Sequence, residues 1–392
     1  MRHIFHSFVA ILLITIGALA DTVVPTERVT NSVRVWADLA NRDGEPIGHL
    51  RPQDTATWLA SVPYYYEVRL QSGEVGYVAK SYTRRVPDQP VPAVQGDLQI
   101  HFINVGQGDS SLVICPNGQT ILIDAGTTSD YSPDIVQAYL LDKIEPFGSD
   151  IDTLIVTHPD ADHYNLIGDV LDGISVGQSY YVGNKSDYKS QTAYNWITKE
   201  PSKSKRLRFS DFDDHATPNP DINCGAANIW ILAASVNSNS SRKNALSIVL
   251  MVRYGNFEAI MTGDATHATE NVVLGRYAAD WLNVDVLKIG HHGSLATSTS
   301  PAWASTLAPE VAIASAGNRY GHPRKEVVDR LRPFTKDGPV HNLISGESIG
   351  RGRYRYTEAP EQERIYNTAS SGTIVVVSSG SGYTITTEAS VP

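Results

Sequence analysis

Ile151-Asp152-Thr153-Leu154-Ile155-Val156-Thr157-His158-Pro159-Asp160-Ala161-Asp162-His163 is a short apolar strand that runs directly into four potential metal ligands within six residues. Pro159 argues against a regular helix start, so the run reads as a loop at a strand end, where four side chains can turn toward one point. A helix would spread them around its circumference. Imidazole nitrogen and carboxylate oxygen are ligands for zinc, manganese or iron. Two metals held by such a run can activate a water and clamp the attacking and leaving oxygens. A chance cluster on a charged surface loop is the alternative, and four ligands after an apolar strand weigh against it.

Working outward, the same arrangement recurs. Ile260-Met261-Thr262-Gly263-Asp264 is a strand ending in a carboxylate, and Val286-Leu287-Lys288-Ile289-Gly290-His291-His292-Gly293-Ser294 is a strand ending in two histidines. Tyr320-Gly321-His322-Pro323 follows a further strand. Potential ligands thus stand repeatedly at strand ends, where α/β folds keep their sites.

The flanking segments predict several further elements. Strands are expected over Leu98 to Val105, Ser111 to Ile114, Thr120 to Ile123, Ala245 to Tyr254, Val311 to Ala314, and a terminal hairpin over Thr373 to Val377 and Tyr383 to Thr386. Ser132 to Leu141 and Pro323 to Leu331 have helical spacing. Residues 184 to 242 are polar with few clear elements, and read chiefly as solvated loop, a substrate-binding patch at the small basic cluster Lys203, Lys205, Arg206 and Arg208 being the alternative. Pro87, Pro90 and Pro92 mark a semi-rigid linker over 87–96. Before it, residues 28–86 read as short strands with turn punctuation, the pattern of a small barrel. Tyr64-Tyr65-Tyr66 there either lines a binding groove or fills the barrel core.

Met1-Arg2-His3, the apolar stretch Phe8 to Ala20 and the triplet Ala18-Leu19-Ala20 form a secretory signal peptide over residues 1–20. The expected location is therefore secreted or periplasmic, with no transmembrane segment after cleavage. The chain holds 32 basic and 42 acidic residues, a net charge of −10, and loss of Arg2 with the leader makes it −11. Such a balance disfavours a protein held on nucleic acid by bulk electrostatics, but not a hydrolase that handles a phosphodiester at a metal centre. The two cysteines, Cys115 and Cys224, can pair in an exported protein or stay as buried thiols.

The sequence resembles the metallo-β-lactamase superfamily, and within it the ComEC-like hydrolase branch of DNA-uptake proteins. The resemblance covers about residues 97–390. It rests on Phe102-Ile103-Asn104-Val105-Gly106-Gln107-Gly108-Asp109-Ser110, Leu122-Ile123-Asp124-Ala125-Gly126 and Thr157 to His163. Thr262-Gly263-Asp264, Leu287 to Ser294 and Tyr320 to Pro323 complete it. Residues 68–78, Val-Arg-Leu-Gln-Ser-Gly-Glu-Val-Gly-Tyr-Val, with Tyr82, resemble a bacterial SH3-like domain. Together they imply an α/β fold, a four-layer αββα metallo-β-lactamase sandwich, preceded by a small SH3-like β-barrel. The domains would be a signal peptide at 1–20, the SH3-like domain at 28–86, the linker at 87–96 and the hydrolase domain at 97–390.

The resemblance also implies roles. His158, Asp160, Asp162, His163 and Asp264 would bind one or two divalent metals, zinc or manganese, with Asp264 bridging. One of His291 and His292 would complete the second site. Asp162 and His322 are the candidate catalytic residues, His322 as a proton donor. Asp109, Asp124 and Asn244 would hold the ligands in place, and Gly106 and Gly108 would let the backbone turn near them. The chain departs from the commonest pattern twice. Asp160 stands where a second histidine is usual, and the histidine expected some 20 residues before Asp264 is absent, with Asn244 or Ser247 in that region.

The implied function is an exported metal-dependent phosphodiesterase or nuclease acting on DNA or another phosphodiester. A wall-associated hydrolase of another ester, held on cell-wall peptide by the SH3-like domain, is the alternative. A non-catalytic wall-binding protein with a degenerate metal site is a third reading.

Overall fold

The computed structural model describes residues 21–26, 29–39, 45–62, 65–86, 96–129, 131–211, 220–236 and 243–388. The expected signal peptide and the linker up to residue 95 lie outside the described residues, as does Tyr64.

The first seven strands are β1 (Thr22–Pro25), β2 (Val33–Trp36), β3 (Gly48–Leu50), β4 (Ala56–Val62), β5 (Tyr65–Arg69), β6 (Val75–Ala79) and β7 (Thr83–Val86). They pair antiparallel in the order β3-β2-β6-β5-β4-β1-β7, a curled sheet consistent with a small barrel-like domain. The period-2 alternation sets its core, with Val33 and Val35 buried and Arg34 exposed between them. Tyr66 is fully buried in that core, whereas Tyr65 is half-buried. The sheet begins at Thr22, ahead of the boundary expected at 28, because β1 pairs with both β4 and β7. The apolar signal there is only Val23-Val24, too short to read as a strand.

The second unit opens with β8 (Leu98–Phe102), β9 (Ser110–Ile114), β10 (Thr120–Ala125), β11 (Ile151–Val156), β12 (Val176–Tyr181) and β13 (Ser204–Arg206). A second set follows as β14 (Ile222–Cys224), β15 (Ala227–Ala233), β16 (Val249–Tyr254), β17 (Phe257–Met261), β18 (Val286–Lys288) and β19 (Val311–Ala314). The chain ends with β20 (Asp337–Ser348), β21 (Tyr354–Glu363), β22 (Ile365–Asn367), β23 (Thr373–Ser378) and β24 (Tyr383–Glu388). Two mixed sheets result, ordered β13-β12-β11-β10-β9-β8-β23-β24 and β14-β15-β16-β17-β18-β19-β22.

The two sheets face each other across one core that includes Phe102, Ile121, Ile229, Leu250, Phe257 and Ile313. The helix Pro133–Ile144 covers the outer face of the first sheet through Val136, Leu140 and Ile144. Helices His267–Arg276, Pro301–Leu307 and Lys325–Leu331 cover the second through Val273, Trp303 and Val328. This is the expected four-layer αββα sandwich. Strands covered on both faces read as near-continuous apolar runs, which is why β11, β16 and β19 were legible in the sequence.

The expectation of mostly loop over residues 184–242 is corrected. A helix spans Gln191–Ile197, and β15 lies in the central core with Ile229, Ile231 and Leu232 buried. That apolar run is real, but polar flanks rich in Asn, Ser and Asp dilute it. The ribbon β20–β21 stands outside both sheets as a two-stranded pair. Among the described residues no helix is long and apolar enough to cross a membrane.

The two units are pinned together by charge. Lys80, buried beside β6, reaches Glu145 Oε2 at 3.4 Å and Asp142 Oδ1 at 3.6 Å, and Arg85 Nη1 reaches Glu145 Oε1 at 3.1 Å. Cys115, just after β9, is disulfide-bonded to Cys224 at the end of β14, with Cα atoms 5.0 Å apart, and so ties the first sheet to the second.

The bridge closes a loop of 109 residues. Chain-entropy reasoning gives about 4–5 kcal/mol for a loop near that length, and measured values are often smaller. The double substitution Cys115→Ser, Cys224→Ser is therefore expected to lower unfolding stability in urea by about 2–5 kcal/mol. An unchanged midpoint would remove the disulfide from the account.

Candidate metal centre

The ligand run sits where three loops are stacked by backbone contacts. Asp109 N–H donates to Asp162 O at 2.9 Å, and Gly126 N–H donates to Asp109 O at 3.0 Å. A side chain at Gly126 would place its Cβ 2.4 Å from the backbone at Asp162 and His163, and one at Gly108 would lie 2.1 Å from Gly126 O. Only glycine permits these approaches.

The run itself is half loop, half helix. Thr157 to Asp160 leave β11 in non-helical conformation, but Asp162 and His163 lie in the one-turn helix Ala161–Tyr164, with Asp160 at its N-cap position. The reading of a loop throughout is corrected here. The extended backbone of Asp160 sets the helix start, and two consecutive helical residues still reach a common centre.

That centre is a set of buried groups. His163 Nε2 lies 3.2 Å from Asp264 Oδ1, and His158 Nε2 lies 3.8 Å from Asp264 Oδ2. His292 Nε2 lies 3.5 Å from Asp162 Oδ2 and 3.6 Å from Asp264 Oδ2. Ligand atoms of His158, His163 and Asp264 fall within 4.8 Å of one another, as do those of Asp162, His163 and His292. A third such group joins Asp109, Asp264 and His292.

The other nitrogen of each ring is already engaged. His163 Nδ1 is 2.7 Å from Asp124 Oδ2, His292 Nδ1 donates to Ser315 O at 2.7 Å, and His158 Nδ1 is 3.2 Å from Thr157 Oγ1. This leaves the Nε2 atoms of His158, His163 and His292, and Asp264 Oδ1, buried with no hydrogen-bond partner. Three orphaned imidazole nitrogens converging on a buried carboxylate are the donor set that a divalent cation of borderline hardness requires.

The remaining expected residues divide. Asp124 anchors His163 and also accepts from Thr157 N–H at 2.7 Å and Thr157 Oγ1–H at 2.6 Å. Asn244 stands near where the absent histidine was expected, and its Nδ2 donates to Asp264 Oδ2 at 3.2 Å. His291 is 24 % exposed, with Nδ1 2.6 Å from Thr297 Oγ1 and Nε2 3.1 Å from Asn244 Nδ2. Of the adjacent pair, His292 is therefore the ring with a free inward nitrogen. Asp160 is peripheral, 33 % exposed, 3.9 Å from His158 Nε2 and 3.8 Å from Lys243 Nζ, and it joins no group of three. His322 lies at the mouth, its ring stacked at 6.3 Å on His292 and its buried Nδ1 without a partner.

His291 and His292 both adopt left-handed backbone, φ 48° and 54°. Two successive non-glycine residues there are disfavoured and persist only where the surroundings impose them.

Electrostatics follow from burial. Burial pushes the Asp264 carboxyl up, yet His292, His163 and His291 together hold it well below the usual carboxylate range. Burial works to lower His163, but Asp264 and Asp124 hold it well above an ordinary imidazole. His292 is likewise raised against burial by Asp264 and Asp162. His322 is lowered to about 3 by burial and by the neighbouring His292 and His291.

One contributor escaped the sequence reading. Lys288, on β18, is almost fully buried and its Nζ meets Asp109 Oδ2 at 2.5 Å. A lysine at the end of an otherwise apolar strand was the available signal. Ser247 was noted only for its position, and its Oγ accepts the Asp264 N–H at 3.1 Å.

The chain belongs to the metallo-beta-lactamase superfamily, whose family model matches residues 103–302. Within that class it is similar to ComE operon protein 3 of Bacillus subtilis, 27% identical over 283 residues, covering 68% of this chain and 34% of that protein. It is also similar to Recombination protein 2 of Haemophilus influenzae, 28% identical over 64% of this chain and 28% of that protein. Competence protein ComA of Neisseria gonorrhoeae is 27% identical over 62% of this chain and 31% of that protein. The chain spans roughly a third of the length of these curated relatives. Among solved structures, a metal-dependent hydrolase of the beta-lactamase superfamily aligns with TM-score 0.32 and 14% identity, over 60% of this chain and 93% of that one. CmlA, a diiron beta-hydroxylase from Streptomyces venezuelae, aligns with TM-score 0.36 and 14% identity, over 60% of this chain and 46% of that one. The protein is thus a hydrolase of a superfamily whose fold binds divalent metals.

The raised His163 and His292 hold protons that a cation must displace, because a metal ligates only the neutral ring. Below their raised values the protonated rings oppose binding, and above them they do not. Apparent affinity for zinc or manganese is therefore expected to climb as pH rises beyond the ordinary imidazole range, and to level only once both rings have lost their protons. Titration calorimetry at pH 7 in buffers of differing ionisation enthalpy should show proton release. Proton-neutral, pH-independent binding would contradict this assignment.

Proposed function

We propose that the chain is an exported metal-dependent phosphodiesterase, acting on DNA or a related phosphodiester polymer. The observation that carries this reading is the buried convergence of Asp162, His163, His292 and Asp264 in a chain similar to competence and recombination proteins. His158, His163, Asp162, His292 and Asp264 would hold one or two divalent cations, zinc or manganese. When bound, such cations supply Lewis acidity toward an anionic ester oxygen and acidify a water.

The side chains do the rest. Asp264 faces four imidazoles, those of His158, His163, His291 and His292, and so serves as the shared carboxylate. Asp162, partly open to the mouth, also orients the attacking water. His322, held neutral by burial and by the neighbouring histidines, stands at the mouth, placed to hydrogen-bond the phosphodiester or its leaving oxygen rather than to protonate it. Export is supported by the Ala18-Leu19-Ala20 triplet and by the Cys115–Cys224 bridge, since disulfides persist in oxidising compartments.

A specific feature favours a wall-associated variant of this reading. A cleft of 830 Å³ lies between the N-terminal sheet and the hydrolase unit, lined by Thr26, Arg84, Trp196, Lys199 and Lys203 among others. Its polar and aromatic lining suits a cell-wall peptide.

Protein loaded with zinc or manganese is expected to cleave both bis(p-nitrophenyl) phosphate and DNA. Asp264→Ala should lose metal and activity together. His322→Ala should keep its metal and lose about 10²–10³-fold in kcat. Full metal occupancy with neither substrate cleaved would sink the proposal.

A further inference from the structure

The ribbon β20–β21 carries the sequence Ile349-Gly350-Arg351-Gly352-Arg353-Tyr354-Arg355-Tyr356 at its tip and along its second strand. Residues 345–357 hold three arginines and one glutamate, a net of +2 within a chain of −10. Strand alternation separates two faces. Tyr354 and Tyr356 are half-buried, whereas Arg353 and Arg355 are exposed.

The tyrosine face is fixed to the active-site mouth. Tyr356 Oη accepts the Gly321 N–H at 2.7 Å, and Gly346 N–H donates to Pro323 O at 2.9 Å. The Arg324 guanidinium lies over the Tyr354 ring at 5.6 Å. A side chain at Gly321 would place its Cβ 2.3 Å from Tyr354 Cδ1. The ribbon therefore grips both neighbours of His322.

The arginine face has no such duty. Among the described residues Arg351, Arg353 and Arg355 form no ion pair and no side-chain hydrogen bond, although Glu347 stands opposite Arg355 in register. Arg351 adopts left-handed backbone, φ 53°, at a turn where glycine would be unstrained. Tyr320, its ring centre 6.3 Å from that of His322, is 46 % exposed, with the Arg319 guanidinium 5.0 Å from its ring centre.

We infer that the ribbon is a docking track for single-stranded nucleic acid, its arginines contacting backbone phosphates outside the metal centre while Tyr320 stacks a base beside His322. This rests on the phosphodiesterase reading of the same site. Unpaired guanidinium groups with an exposed aromatic platform are what a strand with both phosphates and bases requires. A wall polyol phosphate has no π-face to stack. An anionic membrane would need more apolar surface than Ile349 offers at the tip.

The test uses the full chain in EDTA, with fluorescent oligothymidylate read by anisotropy across a salt series. Each phosphate contact on a single strand contributes a slope of about 0.7 in log K against log[salt]. The triple substitution Arg351→Gln, Arg353→Gln, Arg355→Gln is expected to lower that slope by about 2 and weaken binding at least tenfold at moderate salt. The corresponding triple lysine variant should restore it. Turnover of bis(p-nitrophenyl) phosphate by the metal-loaded glutamine variant should stay at the wild-type level. An unchanged slope with normal turnover overturns the ribbon inference alone. Absence of turnover in the wild type overturns the phosphodiesterase reading, and this one with it. Poly(glycerol phosphate) or phosphatidylglycerol vesicles binding as tightly as the oligonucleotide, with no effect of Tyr320→Ala, overturns the nucleic-acid assignment.

Discussion

Asp264 is a carboxylate with almost no access to water, and Asp109, Asp124 and Asp162 converge on the same small volume. Taking even one carboxylate out of water costs several kcal/mol unless it is paired. Lys288 compensates Asp109, and His163 engages Asp124. Asp162 faces His292, and Asp264 faces imidazoles and the Asn244 amide; the inward nitrogens of His158, His163 and His292 have no other partner. Such a cluster is stable with protons on its rings or with a divalent cation among them, and the second state completes the ligand set.

Much of the surrounding architecture follows from bringing these groups together. Strands β10, β11, β17 and β18 end on one side of the sandwich and deliver Asp124, His158, Asp264 and His292 from two different sheets. The loops must then pass so close that Gly108 and Gly126 tolerate no side chain. The strained backbone at His291 and His292 has the same origin, since it turns His292 inward and leaves its neighbour at the rim. The Cys115–Cys224 bridge and the core shared by the two sheets hold the halves against separation.

The ligand run was legible because its residues are adjacent in sequence and follow an apolar strand. Asp264 and the histidine pair were legible for the same reason, each closing a buried strand. What lay beyond reach depends on contacts between distant segments. Nothing local distinguishes His291 from His292; the choice is made by Ser315, Thr297 and Asn244. Lys288 reads as an ordinary strand-end lysine until Asp109 is placed beside it. The ribbon β20–β21 lacks alternating apolar residues because, among its described residues, Leu343 alone enters the hydrophobic core. Asp160 matched a motif position, yet the turn into helix Ala161–Tyr164 leaves it at the periphery, near Lys243.

The central claim is that this buried cluster exists to hold a divalent cation, and ligand linkage tests it directly. A cation that binds only the folded chain stabilises it by RT ln(1 + [L]/Kd), about 4 kcal/mol at a thousandfold excess over Kd. Unfolding should be followed for the metal-stripped protein in chelator and again with zinc or manganese in excess. The account predicts a Tm that rises with metal concentration in the wild type and does not respond in Asp264→Ala. A wild-type Tm indifferent to chelator and metal alike would contradict it.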